Sequence, residues 1–271
     1  MIEKRELTPD ELKKSYAKYY YQEMAPVPKE IIKTLEEGPI DSAKALPAER
    51  RNDLLDPGYL EGEIGYCKMF DGTGYVAMLT KMPGVTAEMF DWWFVWHPLE
   101  DLRYAIWAPG YHISAFLSVK DREKHLNPTI PIRERNWGSR HCIIEGDPDG
   151  MPMSDLGAHF MSPEDFGFDM TRFNSPNVAT VVCSNAGSRR APQSSMMCHF
   201  LREIEDGCEL RTRFWLGKVV KDKNVVDLPM LASASVEDIA KNLVYHNAIE
   251  FHNLAAILPQ VYKEQEGKVS L

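Results

Sequence analysis

The chain has 271 residues, 44% of them hydrophobic and 26% charged, a balance that suits a globular fold and excludes wholesale disorder. That length allows one large domain, or a main domain with a small companion, around a sizeable core. A net charge of −9 disfavours a nucleic-acid binder, which needs a basic face to meet phosphates, and equally a polybasic membrane-surface protein.

The opening MIEKRELTPDELKK lacks the apolar core of a signal peptide, and no run approaches 18 apolar residues. The cysteines Cys67, Cys142, Cys183, Cys198 and Cys208 form no CxxC pair. These features predict a cytoplasmic protein with reduced, mostly buried thiols and no cysteine-based zinc site. Thr8, Pro9 and Glu11 make a capping box with proline at the first helical position, which predicts a helix through about Met24. PKEIIKTLEEG predicts a short second helix stopped at Gly38. Residues 39–60 are charged and turn-rich, so residues 1–60 are expected to form a small N-terminal helical region and 61–271 the main domain.

Strand signals begin near Glu63. GEIGYCKMF and GYVAMLTKM flank Asp71-Gly72-Thr73-Gly74, a hairpin signature. TAEMFDWWFVWHP predicts a helix capped by Thr86 and ended at Pro98, with its Trp/Phe cluster read as core packing. Strand-like runs follow: HISAFLSV, RHCIIEG, NVATVVCS, SSMMCHFLREI and CELRTRFWLGKVV. Between them, DPDGMPMSDLGAHFMSPEDFGFD is expected to be a long irregular insert, a candidate lid over about 150–170. The chain then enters one long helix, with Ser235 and Asp238 as cap residues, running to about Pro259 or a little beyond. Many antiparallel strands followed by one long helix predict an α+β helix-grip architecture, a curved sheet around a helix with a cavity between them.

The apolar stripe of that last helix runs Val236, Ile239, Leu243, His246, Glu250 and then Leu254 or Ile257, with Asp238, Lys241 and Asn247 on the solvent side. His246 and Glu250 therefore stand in line with core residues, about 5–6 Å apart at Cβ. A buried carboxylate needs a partner, either a hydrogen-bonded neighbour or a metal. Two ligands do not complete a metal site, so the sheet must supply others. His112 in WAPGYHIS and Glu145 in CIIEGD would give a His₂Glu₂ set suited to zinc. His141 and His199 compete for the same role, while His97, His125, His159 and His252 are expected to face solvent or make structural hydrogen bonds.

RYAIWAPGYH, IIEGD and the helical YHNAIEFHNL together resemble the acylphloroglucinol C–C hydrolases over roughly residues 60–262. The resemblance implies a Bet v 1-like helix-grip fold, a homodimer and a zinc-dependent hydrolase that cleaves the bond between an aromatic ring and its acyl group. It implies His112, Glu145, His246 and Glu250 as the zinc ligands, and Tyr104 and His199 as catalytic residues that hold the ring hydroxyls. Two positions depart from the diacetylphloroglucinol branch of that family: Ala115 stands where an asparagine is expected, and Phe214 near the place of a second pocket tyrosine. The more apolar lining favours an arylpropanoyl chain, as in phloretin, over 2,4-diacetylphloroglucinol. A non-catalytic helix-grip carrier of hydrophobic ligands is the alternative, and it would have no use for His246 and Glu250 on the stripe. No HExxH occurs, which argues against a metalloprotease.

Overall fold

The computed structural model describes residues 4–146, 154–173, 176–228 and 235–271. In chain order the helices and strands are α1 (Ala17–Tyr21), α2 (Lys29–Glu36), β1 (Gly65–Lys68), β2 (Gly74–Pro83), α3 (Ala87–Trp96), α4 (Asp101–Ala105), β3 (His112–Leu117), α5 (Val119–Leu126), α6 (Ile132–Arg135), β4 (Arg140–Glu145), β5 (Ser154–Met161), β6 (Thr180–Ser188), β7 (Ser195–Ile204), β8 (Gly207–Leu216), β9 (Lys218–Lys221), β10 (Asn224–Asp227) and α7 (Val236–Glu264). Eight strands form one antiparallel sheet in the order β1-β2-β8-β7-β6-β5-β4-β3, and α7 packs along β1 and β2. This is the expected helix-grip arrangement. Among the described residues no helix is long and apolar enough to cross a membrane.

Period-two alternation gives the sheet two buried faces. Val76, Met78, Met197 and Leu201 point inward, where they meet α3 and α7. Tyr75, Ala77, Met196, Cys198 and Phe200 point outward and are covered by Ala48, Leu54, Phe166 and Phe168. On that outer side Glu63 accepts from Arg211 and Arg213, both at 2.5 Å, while Arg211 also donates to the Leu54 carbonyl. This triad and the Trp215 indole, which donates to the Leu46 carbonyl, strap residues 46–63 to the sheet.

The β1–β2 hairpin forms as expected. Gly72 takes the turn with φ +86°, and the Asp71 carboxylate accepts from the Thr73 amide at 3.0 Å. Thr86 caps α3 by accepting from the Met89 amide.

Other expectations need correction. The capping box forms, with Thr8 N–H donating to Glu11 and Glu11 N–H to Thr8 Oγ1. Yet it starts only a 3₁₀ turn, Glu11–Lys13, and extended backbone at Lys14 breaks the predicted helix before α1. Tyr16, Tyr19 and Tyr20, spaced i, i+3 and i+4, still share one face after the break and are buried in the core. The expected irregular insert instead contains β5, whose Leu156, Ala158 and Phe160 alternate and pair β4 with β6. Residues 147–153, which include the start of the candidate lid at about 150, lie outside the described residues. Helices α4, α5 and α6 fall where no helix was expected. Ser235 is the N-cap of α7 but makes no side-chain capping bond.

Candidate metal centre

The inner end of the fold is built from a turn, a strand pair and a helix. After α4, the amides of Tyr111 and His112 both donate to the Ala108 carbonyl, and Gly110 sits at φ +95°. This tight turn delivers His112 to the first position of β3. The register of β3 on β4 then sets His112 directly opposite Glu145. From the other side, α7 presents His246 and Glu250 one turn apart. The Trp107 indole locks the layers together by donating to the Glu250 carbonyl at 3.0 Å, and Asn253 donates to the Trp107 carbonyl at 2.7 Å.

The four side chains converge. His112 Nε2 lies 3.3 Å from His246 Nε2 and 3.5 Å from Glu250 Oε2. Glu145 lies 3.9 Å from each imidazole, by Oε1 to His112 and by Oε2 to His246, and His246 Nε2 is 3.9 Å from Glu250 Oε2. Among the described residues, His112, His246 and Glu250 form the single trio of His, Cys, Asp and Glu whose donor atoms lie within 4.8 Å of one another. Donors bound about 2.0 Å from a tetrahedral ion stand roughly 3.3 Å apart, so this set fits zinc with little movement.

The electrostatics point the same way. Burial, then the charge on Glu145, pushes the Glu250 carboxyl well above its ordinary range, although the Asn247 amide opposes the shift. Burial, then His246 and His97, holds His112 well below the usual histidine value. Two carboxylates and a neutral imidazole facing one buried point form an arrangement that a divalent cation would neutralise.

Tyr104, fully buried on α4, donates to Glu145 Oε1 at 2.6 Å, and its ring stacks on His112 at 4.1 Å. Burial, then Glu145, pushes its phenol well above 10. A cleft of about 810 Å³ reaches Glu145 and His246 and is lined further by Tyr111, Leu156, Phe214 and Leu243 among others.

The other candidates lie further off. His199 points inward from β7, bonded by Nδ1 to Thr212 Oγ1 at 3.0 Å and packed against Phe251, Phe94 and Phe214. Burial lowers its pKa to about 3. Among the described residues it makes no hydrogen bond with the four; its link to the cleft runs through Phe214. His141 shares the inward face of β4 with Glu145 but packs with His97 and His125, ring centroids 5.8 and 5.3 Å away. His97 and His125 are buried and bonded to backbone carbonyls, the structural role expected of them. Trp92, Trp93 and Trp96 stack in the core, and among the described residues Trp107 is the one tryptophan that meets a candidate ligand ring, His112, at 5.0 Å.

The stripe on α7 also differs in detail. Asn247, expected on the solvent side, is fully buried, whereas Ile239 is 42% exposed. The core line runs Val236, Ala240, Val244, Asn247, Phe251 and Leu254, while Ile239, Leu243 and His246 line the cleft. Asn247 donates to Glu250 Oε1 at 3.1 Å. The signal for it in the sequence was its place three residues before Glu250.

Residues 46–263 match the family model described as the DAPG hydrolase PhiG domain. The chain is 37% identical to a phloretin hydrolase of Eubacterium ramulus, over 95% of this chain and 92% of that protein. It is 29% identical to a 2,4-diacetylphloroglucinol hydrolase of Pseudomonas protegens, over 93% of this chain and 84% of that protein. Among solved structures, protein CV1439 from Chromobacterium violaceum is 10% identical with a TM-score of 0.38, covering 68% of this chain and 97% of its own. The helix-grip assignment rests on strand order and not on that likeness.

Proposed function

Because this chain belongs to the DAPG hydrolase PhiG domain family, we propose that it is a zinc-dependent hydrolase of the C–C bond joining a phloroglucinol ring to its acyl group. The observation that carries the zinc reading is the convergence of His112, Glu145, His246 and Glu250 at the inner end of a cleft. Phloretin is the favoured substrate, giving phloroglucinol and 3-(4-hydroxyphenyl)propanoate. Three features support it over 2,4-diacetylphloroglucinol: the higher identity to a phloretin hydrolase, the size of the cleft, and the apolar Ala115 and Phe214 at or near the places where the resemblance implies polar side chains in that branch.

Water adds across the bond: hydroxyl to the acyl carbon, hydrogen to the ring carbon. A trihydroxylated ring is a workable carbon leaving group because its enolate spreads the charge. Zinc, when bound, supplies a Lewis acid for the acyl carbonyl and brings the pKa of a water towards 7. The protein's own groups do the rest. Tyr104 Oη, held at Glu145 Oε1, can relay to the ring carbon the proton that the attacking water gives up to that carboxylate, so that the hydroxyl ends on the acyl carbon and the hydrogen on the ring. His199, kept neutral by burial and fixed by Thr212, accepts a hydrogen bond from a ring hydroxyl that reaches past Phe214. Leu156, Phe214 and Leu243 exclude water from the acyl chain.

A homodimer and residence in the cytoplasm belong to the same proposal; light scattering tests the first, and the free cysteines agree with the second. The decisive experiment incubates the protein with phloretin and follows phloroglucinol by chromatography, beside a chelator-treated control. Product that vanishes on chelation supports the proposal. Product that persists after full metal removal defeats the zinc reading, and no product from either acylphloroglucinol favours the carrier.

A further inference from the structure

We propose that Asn247 is a positioning residue for the metal centre, holding Glu250 by one oxygen so that the other faces the two imidazoles. The inference rests on the zinc reading above. Asn247 Nδ2 donates to Glu250 Oε1 at 3.1 Å, while Oε2 lies 3.5 Å from His112 Nε2 and 3.9 Å from His246 Nε2. The carboxylate is thus divided between an outer donor and an inner task. The pair sits three residues apart on α7, so the helix itself sets the contact.

Packing does not explain an amide at this place. Asn247 is 0% exposed, and among the described residues its Oδ1 has no hydrogen-bond partner. A buried amide oxygen left unpaired is destabilising, and a leucine of similar size would avoid that cost. The single bond to Glu250 is what the amide provides in return. Without it, Glu250 could turn either oxygen, or both, towards the cluster, or swing away. Outer partners that fix a ligand's orientation raise metal affinity in this manner. Tyr104 makes the matching bond to Oε1 of the second carboxylate, Glu145.

The test measures zinc affinity rather than turnover. The parent protein and the variants Asn247→Leu, Asn247→Ala and Asn247→Asp are stripped of metal and titrated with zinc against a chromogenic chelator. Unfolding midpoints of the metal-free proteins are recorded alongside. The expected result is a zinc Kd raised about 10–100-fold in Asn247→Leu and Asn247→Ala. Asn247→Asp, which turns a donor into an acceptor facing Glu250, should weaken binding further. Metal-free Asn247→Leu should still unfold cooperatively and near the parent midpoint, since it sheds the unpaired Oδ1 but also leaves Glu250 Oε1 without its donor. If it does not fold, Asn247→Asp, which keeps the shape, carries the comparison. Zinc bound as tightly by the variants as by the parent overturns the inference and leaves the zinc reading intact. A folded parent that binds no zinc overturns the zinc reading, and the inference with it.

Discussion

Tyr104 shows how much one hydroxyl can do at this site. It is fully buried, stacked on one candidate ligand and bonded to another. Tyr104→Phe keeps the stack and deletes the proton, so kcat should fall by roughly 10²-fold or more while the unfolding free energy changes little. Steady-state kinetics beside a denaturant titration checks this, and unchanged kinetics would remove Tyr104 from the chemistry. His246→Ala should abolish zinc binding and activity in a protein that still folds, because His246 borders the cleft rather than the close-packed core. Metal analysis and circular dichroism on one preparation decide it. At this scale the sequence was partly legible. His246 and Glu250 stood out because a helix face makes polar intruders visible. Asn247 did not, because the stripe drawn through Ile239 and Leu243 follows the cleft and not the core. An empty cleft takes apolar side chains as readily as a packed neighbour does, so hydrophobicity alone cannot separate the two lines.

The elements were most legible where local chemistry decides them. Thr86 before α3, the Asp71-Gly72 turn and the alternation in β2 and β6–β8 are local signals, and each appears in place. The first helix is broken by extended backbone at Lys14, after a single 3₁₀ turn, although Tyr16, Tyr19 and Tyr20 keep the one-face spacing of a helix. The placement of His112 against Glu145 needs the register of β3 on β4, which no single strand's sequence contains. One prediction belongs to the strap between residues 46–63 and the outer face of the sheet. Burial raises the Glu63 carboxyl, but the charges of Arg213 and Arg211 overcome that and bring it from 4.5 down to about 2. A folded-state pKa below the unfolded value stabilises above pH 4.5, and that contribution, about 3 kcal/mol, is lost as pH falls towards 2. Glu63→Gln should therefore lower stability by about 3 kcal/mol or more at pH 7, since it leaves two buried guanidinium groups without their counter-charge. The gap between parent and variant should narrow at pH 3. Urea titrations at the two pH values measure both gaps.

At the scale of the molecule, the sheet and α7 enclose a cleft that ends on the candidate ligands, and the same two layers carry the whole set. A metal that binds the folded state and not the unfolded one stabilises the fold by mass action. Chelation should accordingly lower the Tm, and added zinc should restore it in proportion to the logarithm of its concentration. A melting curve indifferent to both treatments would speak against the centre. The architecture itself was legible from element order, since a long run of strands before a single long helix leaves few other ways to bury both faces. The size and direction of the cleft were not, because they depend on sheet curvature and on the close approach of α7 to β2.

The spacing of the candidate ligands has a consequence in time. His112 and His246 are separated by 134 positions, and His246 and Glu250 lie on the last helix. A chain emerging from synthesis thus holds only His112 and Glu145 until α7 is made and docks, and two donors on an edge pair of strands bind an ion weakly. On the proposed zinc reading, loading of the centre would report that the last element has arrived, and a chain cut short before His246 should fail to keep zinc.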